Sequence, residues 1–116
     1  MSDRIDDVKS ELVEIINEVY KIPEMSIRKG YKSLMTIVDD RAPNLYDMAE
    51  ECSELGEQDY EMFTNNIKII EEQLYSLENV TLDYLPEAAN ILCKDCMIPV
   101  VEQISEGRFE EISSVI

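Results

Sequence analysis

Apolar residues recur along this chain at intervals of three and four almost from end to end, the period of a helix with one buried face. Over residues 3–20 the series is Ile5, Val8, Leu12, Ile15 and Val19, with Ile16 and Tyr20 widening the stripe. Acids Asp6, Asp7, Glu11, Glu14 and Glu18 occupy the other faces. Ser2 or Asp3 can cap this helix. Ile22-Pro23 ends it, because the residue before a proline is pushed out of the α region. A second helix starts near Pro23 to Ser26, with Ile27, Tyr31, Leu34 and Val38 as its stripe. Asp39-Asp40-Arg41-Ala42-Pro43 interrupts it. Proline removes one helical N–H and its ring clashes with the previous turn, so a kink or a break is predicted at Pro43. Leu45, Met48, Ala49, Cys52 and Leu55 continue nearly in phase, and Gly56 sits where a left-handed C-cap is predicted.

The next helix is predicted over residues 57–78, where Tyr60, Phe63, Ile67, Ile70, Leu74 and Leu77 keep the spacing without a miss. Asn79-Val80-Thr81 reads as a turn, with Thr81 or Asp83 as the following cap. The last long helix is predicted over residues 83–105, with Leu85, Ala89, Leu92, Cys96, Val100 and Ile104 as its stripe. Pro86 falls in its first turn, where a missing N–H costs nothing. Pro99 lies inside the pattern and predicts a second kink. Gly107 ends the helix, and Phe109, Ile112 and Val115 or Ile116 suggest a short terminal one. Four to five amphipathic helices with short connections must bury their stripes on one another. The expected fold is an all-α, up-and-down bundle forming one domain over residues 1–116.

Composition narrows the partners. The chain has 116 residues, 26 acids against 10 bases and a formal net charge of −16. Such a field repels phosphate backbones and anionic membranes, so neither nucleic acid nor membrane is expected as a partner. It suits a basic or amphipathic protein partner, or plain solubility. Arg28, Lys29 and Lys32 form the one local basic cluster, a pattern more often a solvated helix face than a phosphate site. No uninterrupted apolar run reaches about 18 residues. The opening MSDRIDDVKSEL lacks the order of a signal peptide, so a cytoplasmic protein is expected.

Candidate chemistry is sparse. Cys93 and Cys96 stand at C-x-x-C spacing, but a redox pair needs a thiolate stabilised at a helix N-terminus, and these lie well inside a helical pattern. Cys96 is on the stripe and Cys93 at its edge, as buried apolar residues would be. Three cysteines are an odd number, and no structural disulfide is expected. The chain has no histidine. That leaves a zinc site short of ligands, a di-iron bundle motif unfillable and a serine or cysteine nucleophile without its usual base. Gly30, Gly56 and Gly107 stand alone, so no phosphate loop is present. No cofactor or metal is expected, and a non-enzymatic role is.

What remains is surface. Methionines and tyrosines are spread over every helix, and such side chains suit an adaptable protein-binding face. Tyr46, Met62 and Tyr75 lie off the stripes and are expected to be exposed; Leu82 and Ile98 are apolar and off-stripe too. A bend at Pro99 would open a groove beside the last helix. Tyr84, Met97, Ile98 and Pro99 are the candidate contact residues for a partner helix. The excess of apolar positions would equally serve a homodimer.

Small, acidic, histidine-poor helical bundles of this length resemble bacterial export chaperones, such as those that hold flagellar subunits. The run LENVTLDYLPEAANILCKDCMIPVVEQI also resembles a pattern in small helical proteins of Gram-positive bacteria, through Asp83, Tyr84, Ala89, Leu92, Pro99 and Val100. Pro86 and Asn90 depart from that pattern. The resemblance implies a non-enzymatic role around secretion or motility and carries over no functional residues. The expected function is a protein-binding module that holds a partner helix in an apolar groove. The rival is an acidic antitoxin, immunity protein or nucleic-acid mimic that neutralises a basic target, which would show one dense acidic face. A third class, a thiol or metal protein, requires Cys52, Cys93 and Cys96 to converge.

Overall fold

The structure, a computed structural model, describes residues 4–112. The possible caps Ser2 and Asp3 and the terminal Val115 and Ile116 lie outside the described residues. Four helices form: α1 (Arg4–Lys21), α2 (residues 27–50), α3 (Glu57–Ser76) and α4 (residues 85–106). Short 3₁₀ turns, Ile22–Glu24 and Leu77–Asn79, follow α1 and α3, and among the described residues no strand occurs.

The helix starts are met in different ways. The Ser26 hydroxyl accepts from the Lys29 backbone N–H at 3.4 Å at the start of α2. The first turn of α1 is closed from a distance, where the Ile5 N–H donates to Glu54 Oε1 at 2.7 Å. Gly56 is an extended N-cap of α3 (φ −62°, ψ 159°), not the left-handed C-cap that the pattern suggests. The helix before it already ends at Glu50, and residues 51–55 form an irregular connection. Tyr84, rather than Thr81 or Asp83, precedes α4, with Pro86 in its first turn. Gly107 ends α4 in the left-handed region (φ 69°), a conformation glycine adopts without strain.

The chain stays helical across both internal prolines. Ahead of each lies a five-residue π-type stretch, Ile37–Arg41 before Pro43 and Cys93–Met97 before Pro99. The Ala42 N–H reaches back to the Ile37 carbonyl, and the Ile98 N–H to the Cys93 carbonyl. This wider turn re-registers the backbone where the proline ring would meet the preceding turn. The break considered at Pro43 does not occur.

One core draws on every helix. Val8, Leu12, Ile15 and Val19 meet Leu34, Val38 and Leu45, then Phe63, Ile67, Ile70 and Leu74, then Leu85, Ala89, Leu92 and Val100, all buried. Each such Val, Leu, Ile or Phe side chain contributes about 1.5–3 kcal/mol by leaving water. The end of α2 meets the start of α3, where Tyr60 Oη donates to the Glu50 carbonyl at 2.8 Å. The middle of α2 meets α1 through Arg41, whose guanidinium lies 2.9 Å from Glu11, 2.7 Å from Glu14 and 2.5 Å from Glu18.

The expected terminal helix is absent over residues 108–112, which cross α3 and α4 as a non-helical strap. Phe109 packs edge-on against Phe63, with ring centroids 5.6 Å apart, and Ile112 is buried. Asn66, fully buried, holds the strap on both sides. Its amide donates to the Glu110 carbonyl at 2.7 Å and to Gln103 Oε1 at 3.1 Å, and its oxygen accepts from the Ile112 N–H at 3.2 Å. Backbone groups satisfied this way have no need of helical partners.

Candidate docking groove

The helical pattern puts Ile27, Tyr31, Leu34 and Val38 on one inward stripe of α2. The structure splits that stripe. Leu34 and Val38 are buried, whereas Ile27 is 57% exposed and Tyr31 39%. Gly30 accounts for the split. It is buried, and a Cβ at its position would stand 3.1 Å from the Ile22 side chain. The 3₁₀ turn after α1 therefore packs directly on the α2 backbone at Gly30. The inward face there runs through Gly30, Leu34 and Ile37, and Ile27 and Tyr31 are rotated to its flank.

Ile27, Tyr31 and Met35, spaced by four, form one wall of a groove. The opposite wall is the turn after α3, with Val80, Thr81 and Leu82, the last 47% exposed. The groove has a volume of about 1250 Å³ and opens to solvent. Arg28 and Lys32 stand on the α2 wall and Glu78 on the other. Among the described residues, Arg28, Lys29 and Lys32 make no ion pair; those present involve Arg4 and Arg41. The groove thus sets exposed apolar side chains beside bases that make no ion pair among the described residues.

The thiols offer little chemistry. Cys52, Cys93 and Cys96 are buried and none is in a disulfide. Burial pushes all three up: Cys93 to about 12, Cys52 to about 11 with help from nearby Glu54, and Cys96 to about 11 with help from Asp95. A thiol so protonated is a poor nucleophile at neutral pH. Among the described residues, no three cysteine, aspartate or glutamate side chains come together as a metal ion would need. The Glu71 carboxyl is held above its ordinary value, by burial first and then by Asp47 and Glu72, with Lys68 opposing.

The four contact residues expected from the sequence do not form one surface. Tyr84 is 45% exposed, two residues beyond Leu82, but does not line the groove. Met97 is fully buried in the core and cannot meet a partner on this fold. The π-type turn is the reason, since it carries Cys93, Cys96 and Met97 all inward. Ile98 and Pro99 are half-buried. The hollow beside Pro99, about 470 Å³, is walled by the chain's own Glu110, Glu111 and Ile112. Of the off-stripe residues, Tyr75 and Leu82 are exposed and Tyr46, Met62 and Ile98 are half-buried. Sequence reasoning missed the groove because it placed Ile27 and Tyr31 in the core. The signal was there in Gly30, a residue with no side chain in the middle of a helical stripe.

Among the described residues no helix is long and apolar enough to cross a membrane. In comparisons with models of known protein families, with curated proteins and with solved structures, nothing matches this chain.

Proposed function

We propose that this chain is a non-enzymatic protein-binding module that seats an amphipathic helix of its partner in the groove between α2 and the turn after α3. One observation carries the reading: Ile27 and Tyr31, which the helical pattern assigns to the core, are exposed beside Leu82 in a concave surface. Apolar side chains exposed in a concave surface are what a partner's apolar helix face can fill. The groove is larger than the 300–1,000 Å³ or so of ordinary small-molecule sites, and its walls are apolar, as a helix face requires. The absence of histidine and the buried, protonated thiols support a role without catalysis. Acting in the cytoplasm, such a module would cover a partner's amphipathic helix in the manner of an export chaperone. In the same reading the helices run up and down around the core, with axis bends at Pro43 and Pro99.

The test is calorimetry against a panel of amphipathic helical peptides, with wild type and Leu82→Asp compared. Leu82 is 47% exposed and outside the core, so the substitution is expected to leave the fold intact. Binding by wild type that weakens at least about tenfold in the variant supports the reading. Equal affinities for the two proteins would place the partner site elsewhere.

A further inference from the structure

Charge is distributed unevenly on this molecule. Residues 21–38 carry four bases (Lys21, Arg28, Lys29 and Lys32) and a single acid (Glu24), while the rest of the chain carries six bases and 25 acids. The basic stretch coincides with the apolar groove, because Arg28 and Lys32 line it beside Ile27, Tyr31 and Met35. Arg41, the base nearest in sequence beyond the stretch, is already engaged by Glu11, Glu14 and Glu18. The groove bases have no such carboxylate among the described residues. Local potential at a binding surface is set by the charges on its rim, since ions screen those beyond about 8–10 Å. The whole-chain charge points to a basic partner; the rim points the other way.

Shape limits the occupant further. Three apolar residues spaced by four run along about 12 Å of the α2 axis, the length of roughly two turns of a helix. A flat bilayer cannot enter such a concave surface. A second copy presenting the same face would set Arg28 and Lys32 against their own counterparts. We infer that the occupant of the groove is an amphipathic helix of another protein whose apolar face is flanked by acidic residues on the side facing Arg28 and Lys32. Glu78 on the opposite wall leaves the other flank neutral or basic and so fixes which way round the helix lies. The inference rests on the groove reading above and adds the sign of the partner's charge.

Fluorescence anisotropy with three labelled helical peptides of one length tests it. The first has a leucine face flanked on one side by glutamate, the second the same face flanked by lysine, and the third the glutamate flank with the leucines replaced by serine. The expected result is binding of the first peptide about tenfold tighter than the second, and none of the third. Arg28→Glu combined with Lys32→Glu is expected to erase or reverse that preference. If the lysine-flanked peptide binds as well or better, and Leu82→Asp abolishes it, the groove stands and the charge inference falls. If neither leucine peptide binds, both fall together. Sedimentation of anionic vesicles with the protein, or a dimer in analytical ultracentrifugation, each lost in Leu82→Asp, would assign the surface to lipid or to a second copy and overturn the proposal.

Discussion

Cys93 shows what burial does to a reactive group. Its thiol is held at about 12 against an ordinary value of 9.0, so the folded state prefers it protonated. A group raised in the folded state contributes stability below its unfolded value and loses it as pH rises through the folded one. Cys52 and Cys96, at about 11, act in the same direction. Stability should therefore fall from about pH 9 upward, and Cys93→Ala should flatten that fall in melts taken across the range. Native protein should also react with a disulfide reagent only as fast as it opens, at a rate that denaturant accelerates. Arg41 is the opposite case. Burial alone would lower its guanidinium, but its hydrogen bond to Glu18 and the charges of Glu11 and Glu18 raise it overall. Arg41→Ala leaves three carboxylates of one helix face unopposed and should cost about 1–2 kcal/mol in chemical denaturation at low salt, less at high salt. Asn66→Ala removes three hydrogen bonds to the strap and to Gln103. It should cost about 1–3 kcal/mol and speed hydrogen exchange at the Ile112 amide.

At the scale of elements, periodicity alone locates α1, α3 and most of α4, because their stripes face one core and nothing competes. It fails at three places, each for a local reason. The strap over residues 108–112 has helical spacing at Phe109 and Ile112, but the Asn66 amide satisfies its backbone instead. Met97 looks peripheral on a regular helix, and the π-type turn before Pro99 brings it inward. Ile27 and Tyr31 look central, and the close approach of Ile22 to Gly30 turns them outward. The candidate site was therefore not legible in the sequence: Tyr84, Met97, Ile98 and Pro99, the expected contact residues, do not line the groove, and of its lining only Leu82 stood out as apolar and off-stripe and Arg28 and Lys32 as a basic cluster. Gly30→Val tests that last cause. The added methyls meet the Ile22 side chain, and overpacking of this kind costs about 1–3 kcal/mol, so a lower melting temperature is expected. A Gly30→Val protein as stable as wild type would mean that Ile22 does not set the face of α2.

For the molecule as a whole, acidity is both a surface property and a stability term. Glu71 on α3 faces Asp47 of α2 and sits beside Glu72, and it is held above the ordinary 4.5. Its contribution is present below pH 4.5 and is lost as pH rises through the raised value. Glu71→Gln should accordingly raise the melting temperature at neutral pH and converge with wild type in acid. The same excess of acid makes the basic, apolar groove distinct from its surroundings, and in the proposed function a partner helix binds there. The most direct measurement is a titration of isotope-labelled protein with a leucine-faced helical peptide, followed by amide chemical shifts. The expected result is a contiguous set of shifts over residues 27–36 and 78–82, with α1 and the strap undisturbed. Shifts centred instead on Ile98 and Pro99, or spread evenly over the bundle, would contradict it.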